Sequence, residues 1–547
     1  MENKVTIKTY LWRCKKENSI WLFWILVNSV CVFLNGILSA RAITTLVSFD
    51  LKGFILYSLS ILAVNILWVI QIYQGAKANE KAIQMMAIEI RKDIALKLEQ
   101  AGILNYEKKN QATYLSWLTN DINTIIDLGF ETLELMVMQA LNIVFAIVAF
   151  LSFHYSLLFT IAIFFLMMVK LPKLFAASME KKAVTFTEKN EELVQAIDDV
   201  LSGYRNLSNA NKIGFMTRKI MNFSHQYANA KIDYAKSLGG LMSVQNGTSF
   251  ISQIVILIHS GVLYFYRLMP IGGVSSSQYF ASIIFAGLTG LTANYTEFKS
   301  VDKIFEKFNA IDADWQLNNF SKPAGNISFV NGDISLNQLT LKREQQVVFE
   351  HLTLHFEKNK KYALTGTSGV GKSSLLKLIK GELFPDSGTI SFNGISLLEI
   401  DRQSLNDNIS YVSADDHIFN ESLRFNLTLG KEVEQSEIDR VLDILHLKNW
   451  VSDLDKGLET RLSQITQDIS SGQKQRILLA RLLLEDKPVW LIDEGTSAID
   501  KDNRKLIEEE LLKQPNKTIL FVTHHLSETL AERLDSQIHL DDFVAKH

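Results

Sequence analysis

Charge is missing from long stretches of the first 300 residues. Residues 18–40, 53–76, 135–169, 237–266 and 268–296 contain no Asp, Glu, Lys or Arg. An α-helix crosses the hydrocarbon core in about 20 apolar residues. The run 135–169 has room for two tight spans with only His154 between them, so the pattern predicts six membrane-spanning helices. A buried helical core in a water-soluble protein is the competing reading, but such a core does not exclude charge over runs of this length. Between the runs, helical spacing of apolar positions continues over about residues 70–101, 115–153 and a pair within 170–236. At 1.5 Å per residue these stalks reach ~20–30 Å beyond the bilayer. Turns are expected at Tyr106-Glu107-Lys108-Lys109-Asn110-Gln111-Ala112, as a short crosswise helix, and at Asn209-Ala210-Asn211-Lys212. Long solvated loops are the plainer alternative.

The period then changes. Residues 317–326 contain Pro and Asn and read as a linker, and short strands follow: Ile334-Ser335-Leu336, Val347-Val348-Phe349 and Leu352-Thr353-Leu354. The expected organisation is an α-helical six-span transmembrane domain over residues 1–310, a linker over 311–326, and an α/β domain over 327–547.

Chemistry is concentrated in that last domain. Gly366-Thr367-Ser368-Gly369-Val370-Gly371-Lys372-Ser373 fits G-x-x-x-x-G-K-[ST], a loop whose backbone N–H groups cradle phosphates. Tyr362-Ala363-Leu364-Thr365 reads as the strand leading in, and Ser374-Leu375-Leu376-Lys377-Leu378-Ile379 as the helix leading out, its N-terminus adding positive potential. Lys372 supplies a point charge for the β- and γ-phosphates, and Ser373 a hydroxyl for Mg²⁺. Pro488-Val489-Trp490-Leu491-Ile492-Asp493-Glu494 is an apolar strand ending in two carboxylates. Asp493 is expected to hold Mg²⁺ through water and Glu494 to orient the attacking water, since phosphoryl transfer depends on positioning. Ile469-Ser470-Ser471-Gly472-Gln473-Lys474-Gln475-Arg476 opens a further helix with small residues at its start.

The order of phosphate loop, short signature, strand with Asp-Glu and then Thr523-His524 resembles the ATP-binding cassette (ABC) ATPases. With six helices upstream, the whole chain is similar to bacterial exporter-type half-transporters of that superfamily. Leu115-Ser116-Trp117-Leu118-Thr119-Asn120-Asp121 resembles the family's sequence after its first coupling helix. The resemblance implies a P-loop NTPase domain of ABC type. It implies that Ser470, Ser471, Gly472 and Gln473 contact the γ-phosphate held by a partner's loop, that Glu494 is the catalytic glutamate, and that His524 senses the γ-phosphate. Ser497-Ala498-Ile499-Asp500 corresponds to the loop that communicates across the dimer. The nucleotide set is completed by Gly366 to Lys372, Ser373 and Ser374, with Ser373 and Asp493 for the metal; ATP and Mg²⁺ are the implied cofactors.

Three positions depart from the family pattern. Ala414 stands where a Gln usually touches Mg²⁺ and the attacking water. Arg343 stands where an aromatic side chain usually stacks on adenine, although a guanidinium also stacks on a base. Leu462-Ser463-Gln464 replaces a commoner Val-Gly-Glu. These changes suggest one half of an asymmetric heterodimer, a homodimer being the other option.

Net charge is −3, which gives no basic excess for nucleic acid. Cys14 and Cys31 form neither a disulfide framework nor a metal-ligand spacing. Ala40-Arg41-Ala42 resembles a signal-peptidase site, but the preceding apolar run is long for one and further spans follow. Lys and Arg crowd the N-terminus (Lys4, Lys8, Arg13, Lys15, Lys16) and the stalk segments, whereas the intervening turns are nearly uncharged. Both termini and the ATP-binding domain are therefore expected in the cytoplasm, with the chain multi-pass in the cell membrane. The spans carry polar groups such as Asn28, Gln71, Gln139 and Asn294, with Arg41, Glu131 and Glu134 near the boundaries. The resemblance implies ATP-driven export of an amphipathic small molecule, lipid or peptide. An importer built on the same fold is the alternative; Cys14 has too little chain around it for a cysteine-protease domain, so peptide export is expected without peptide processing.

Overall fold

The computed structural model describes residues 4–170, 173–316, 325–343, 346–462, 469–523 and 531–543. The chain divides into two compact units. One comprises Met1–Gln100 and Asn110–Ala313; the other comprises Ala101–Lys109 and Asp314–His547.

The first unit is helical: α1 (Ile7–Arg13), α2 (Lys15–Val47), α3 (Leu51–Tyr106, its tip in the second unit), α4 (Gln111–Leu118), α5 (Asn120–Ile125), α6 (Thr132–Phe153), α7 (Ser156–Lys170), α8 (Lys173–Ser202), α9 (Tyr204–Asn209), α10 (Gly214–Phe265), α11 (Ile271–Ser300) and α12 (Asp302–Gln316). Among the described residues, four helices are long and apolar enough to cross a membrane: Lys15–Val47, Leu51–Ile103, Gln111–Phe153 and Gly214–Phe265. Ser156–Met168 is apolar but shorter. Helix α11 is long, yet rich in Gly, Ser and Thr, because it is a packing helix. A Cβ at Gly272 would lie 1.7 Å from the Ala40 carbonyl oxygen, so only glycine lets α11 approach the α2 backbone here. Ser276 Oγ donates to the Gly36 carbonyl at 2.8 Å in the same seam. Small residues and short hydroxyl bonds of this kind are how helices associate where the surroundings are as apolar as the side chains.

Two details differ from the sequence reading. The expected helix from 115 to 153 is broken at Thr119 (φ −125°, ψ −78°) and passes through a π-helical turn, Ile126–Glu131, before α6. The break at the other stalk tip comes earlier than expected. Gly102 adopts φ 64°, ψ 163°, residues 103–106 are helical, and the segment that looked like a crosswise helix is interrupted by non-helical backbone over 107–110. Gly102 supplies a backbone conformation that the periodicity of its neighbours hides. The second tip turns after α9, with Asn211 at φ 54°.

The second unit contains two sheets. Strands β1 (Ile334–Arg343), β2 (Gln346–Phe356), β4 (Ser387–Phe392) and β5 (Ile395–Ser396) form an antiparallel sheet in the order β2-β1-β4-β5. Strands β3 (Lys361–Thr365), β6 (Ile409–Ser413), β7 (Val489–Asp493), β8 (Thr518–Val522) and β9 (Ser536–His539) form a parallel sheet in the order β6-β7-β8-β3-β9. Among the described residues its α-helices are α13 (Lys372–Lys380), α14 (Arg402–Asn408), α15 (Leu423–Thr428), α16 (Gln435–Ile444), α17 (Lys448–Ser452), α18 (Ser471–Glu485) and α19 (Lys501–Leu512).

Strands β7 and β8 are buried at every position, as their unbroken apolar runs require of parallel strands covered on both faces. Alternate residues serve different cores. Val489, Leu491, Leu520 and Val522 join Leu375, Leu378 and the antiparallel sheet. Trp490, Ile492, Ile519 and Phe521 join Ile477, Leu478 and Ile507 on α18 and α19.

Candidate nucleotide site

Ligands of open parallel sheets bind at the carboxyl ends of the strands, and here the predicted residues gather at those ends. Strand β3 runs into the loop 366–371, which closes on α13. Gly371 has φ 103°, and a Cβ there would meet Phe349 and Val348 at 2.7 Å, so both its conformation and its surroundings require glycine. Lys372 is buried, and its ammonium donates to the Gly366 and Thr367 carbonyls at 2.9 and 3.0 Å. Thr367, Ser368, Gly369 and Ser373 are exposed, while Val370 and Ser374 are buried beneath them. Arg343 lies exposed at the end of β1, in the hairpin whose other strand carries Phe349.

Strand β7 delivers Asp493 and Glu494. Asp493 is 6% exposed. Its Oδ2 accepts the Tyr411 hydroxyl at 3.1 Å, whereas its buried Oδ1 has no hydrogen-bond partner among the described residues. Burial, followed by the charge and hydrogen bond of Asp493, pushes the Tyr411 phenol well above its usual range, so it remains a donor. Asp493 and Ser373 line one cleft of about 550 Å³. A buried, unpartnered carboxylate oxygen and a serine hydroxyl on the same cleft are oxygen donors that fit a hard divalent cation such as Mg²⁺. Ala414 sits half-buried just beyond β6, where its methyl group offers no ligand.

Glu494 has φ 52°, a left-handed conformation uncommon for a residue with a Cβ and most often kept where a site demands it. Its backbone is held on both sides. The Glu494 amide donates to the Val522 carbonyl at 3.3 Å, and its carbonyl accepts from Gln475 Nε2 at 3.2 Å. Gln475 is a contributor that the sequence reading quoted without assigning it a role. It is buried on α18, also donates to Ser497 Oγ at 2.9 Å, and accepts from the Ala498 amide at 2.7 Å. Its signal in the sequence is faint: a Gln at the inward position of an otherwise apolar helical face.

Helix α18 starts at the signature. Ser470 is its N-cap, and a reciprocal capping box joins Ser470 and Gln473 through bonds of 3.2 and 2.9 Å. Such boxes satisfy two orphan amides at a helix start, which here leaves Ser471 exposed and Gly472 beside it half-buried. Asp541 is a second contributor missed in the sequence. It accepts from the Thr367 amide at 2.9 Å and from its hydroxyl at 2.5 Å, bonds that hold the Asp541 carboxyl below its usual range. Thr523, at the end of β8, is buried; His524 lies outside the described residues.

A phosphate loop, two carboxylates and a capped signature helix at the edge of a parallel sheet, on a chain that also carries long apolar helices, define a multi-pass membrane protein with a P-loop nucleotide-binding domain. Comparison with known proteins gives the family. The family described as ABC transporter transmembrane region matches residues 19–288, and that described as ABC transporter matches residues 349–497. The chain belongs to the ABC transporter family, with its transmembrane region fused to its ATP-binding domain. It is 39% identical over 188 residues to the mesentericin-Y105 transport/processing ATP-binding protein MesD of Leuconostoc mesenteroides, covering 34% of this chain and 26% of that one. It is 28% identical over 274 residues to the ATP-dependent lipid A-core flippase of Vibrio parahaemolyticus, covering 48% and 46%. These matches span under half the length of either relative. In fold, it is similar to a bacterial Atm1-family ABC exporter solved with ATP bound, with a TM-score of 0.75 at 16% identity over 97% of this chain and 94% of that one.

Proposed function

We propose that the chain is an ATP-hydrolysing exporter half-transporter, with a six-span membrane domain over residues 1–310, a linker over 311–326 and an ATPase domain over 327–547. The observation that carries this reading is the convergence at one sheet edge of Lys372, Ser373, Asp493 and Glu494. The loop amides from Gly366 to Gly371 bind the ATP phosphates, and Lys372 moves its ammonium from its own loop carbonyls to them. Ser373 and Asp493 hold Mg²⁺, and Tyr411 fixes the carboxylate so that Oδ1 is presented to the cleft. Bound Mg²⁺ neutralises charge on the phosphates. Glu494 orients the attacking water and receives its proton, and His524 contacts the γ-phosphate.

Two ATP-binding domains share each nucleotide in this mechanism. Ser470, Ser471, Gly472 and Gln473 of one protomer approach the phosphates in the loop of the other, and closure converts the membrane cavity from inward- to outward-facing. Closure is a population shift, so ATP must favour the closed state over the open one. The departures at Ala414 and Arg343 favour a heterodimer over a homodimer. Lys and Arg placement supports a cytoplasmic position for both termini and the ATPase domain, in a cell-membrane protein. The relatives named above are a lipid A-core flippase and a mesentericin-Y105 transport/processing protein, which supports an amphipathic small molecule, lipid or peptide as cargo; nothing favours import.

The test is Mg-ATPase turnover and oligomeric state of the purified chain in lipid, with Glu494→Gln as control. The variant should bind ATP and lose turnover. Near-normal hydrolysis would remove Glu494 from its role, and a homodimer fully coupled to cargo would remove the heterodimer.

A further inference from the structure

Arg41 is the only charged residue between Glu17 and the end of α2, and it lies six residues, ~9 Å, before that end. Arg41 is exposed and near enough to the helix end for its head to reach the interface, and a guanidinium in an otherwise apolar helix is by default a functional-site hypothesis. Its surroundings add a second observation. Arg41 opens onto a cleft of about 380 Å³, within the range of small-molecule pockets, built near the α2–α3 and α6–α7 turns. Ile37, Ala40, Phe153 and Pro270 supply apolar wall, and the Tyr57 ring lies 5.9 Å from the guanidinium carbon.

Apart from Arg41 and the Tyr57 hydroxyl, the polar side chains of the cleft are already engaged. Thr44 Oγ1 donates to the Ala40 carbonyl at 2.8 Å and accepts from the Gly272 amide at 3.2 Å. Thr45 Oγ1 donates to the Ala42 carbonyl at 2.9 Å, and Ser152 Oγ to the Ala149 carbonyl at 2.6 Å. Asp50, at the nearby turn, caps α3 by accepting from the Gly53 amide. No carboxylate pairs with Arg41 among the described residues, so its fork of donors is left for something else. The tight Gly272–Ala40 contact keeps α11 against α2 beside the cleft.

We propose that this cleft binds an amphipathic anion, with a phosphate or carboxylate head on Arg41 and an apolar tail along Ile37 and Phe153. With the Thr44, Thr45 and Ser152 hydroxyls engaged, a sugar or other polyol, which would need several free partners, fits the cleft poorly. The single planar guanidinium suits bidentate pairing with a carboxylate or phosphate oxyanion. The same chemistry is offered by exported cargo and by an anionic membrane lipid. Naming cargo as the occupant rests on the transport reading above; the existence of the site does not.

The experiment uses the full chain in phosphatidylcholine nanodiscs with dodecyl phosphate as probe, retention being measured by native mass spectrometry. The wild type should retain the probe. Arg41→Gln should lower its apparent affinity by about tenfold or more, and Arg41→Lys should fall between, as expected for loss of a charge-assisted pair. Dodecyltrimethylammonium should not be retained by the wild type. Equal retention by the wild type and Arg41→Gln, equal retention of the cationic probe, or no retention by the wild type would overturn the proposal. Repeating the titration in discs containing phosphatidylglycerol separates the sources: displacement of the probe identifies a lipid occupant, and persistence identifies a cargo site. ATP turnover and nucleotide affinity, read on the same preparations, show that Arg41→Gln is folded and report on the transport reading independently.

Discussion

Replacing Gln475 with Ala would test whether α18 is tied to the catalytic loop by this one side chain. The amide is 3% exposed and makes three bonds: to the Glu494 carbonyl, to Ser497 Oγ and from the Ala498 N–H. Alanine deletes all three. A buried group left without a partner costs about 1–3 kcal/mol. The Ser497 hydroxyl is on an exposed residue and recovers its bond from water, and the Glu494 carbonyl, on a half-buried residue, recovers part of its own. The Ala498 amide loses the shortest of the three bonds, but Ala498 is also exposed and water partly replaces that bond, so a local destabilisation of about 1 kcal/mol is expected there. If the loop opens locally, exchange protection at Ala498 falls by about fivefold, at one decade per ~1.4 kcal/mol. The assay is hydrogen–deuterium exchange on peptides spanning 494–500, in the full chain in lipid. ATP turnover should drop alongside, with ATP affinity changing much less, because the phosphate loop is untouched. Unchanged exchange in Gln475→Ala would show that the loop is held by its own turns, and the coupling argument would fail.

Two further outcomes follow from the same domain. Lys372→Ala should weaken ATP binding by at least tenfold in equilibrium titration, and unchanged affinity would argue against the phosphate-loop assignment. Burial, reinforced by the nearby charge of Lys487, pulls Lys380 down to about 8, although its ammonium donates to the Ile409 carbonyl at 2.7 Å. The native state therefore binds this proton less well than the unfolded chain, and stability rises as pH climbs from about 8 toward the ordinary lysine value. Lys380→Met should raise the unfolding midpoint at pH 7, with the gain shrinking by pH 10; a gain independent of pH would exclude the buried charge as its cause.

The chemistry was more legible in the sequence than the mechanical parts. Lys372, Asp493 and Glu494 lie in contiguous motifs whose spacing reflects a strand, a loop and a helix, so local order alone placed them at the sheet edge. Gln475 and Asp541 were not legible as contributors, because their partners lie 19 to 174 residues away and only the folded chain brings them together. The apolar runs announced membrane helices, but periodicity could not register the Gly102 break, the interruption at Thr119 or the π-turn. Each is a change of backbone angle that leaves the polar–apolar pattern on either side intact. The Tyr411–Asp493 bond was hidden for a different reason: strand alternation puts both side chains on one face, but which strands are neighbours is a matter of topology.

The alternation along β7 has a mechanical consequence. With Val489 and Leu491 committed to one core and Trp490 and Ile492 to the other, the strand is a partition shared by two rooms. The helix that follows the phosphate loop belongs to one room and the signature helix to the other. If one packed layer shifts, this partition is a direct route by which the other feels it, and its free end carries Asp493 and Glu494. The two carboxylates therefore stand where disagreement between the layers is expressed as displacement, like the tip of a needle whose pivot lies deep in the instrument.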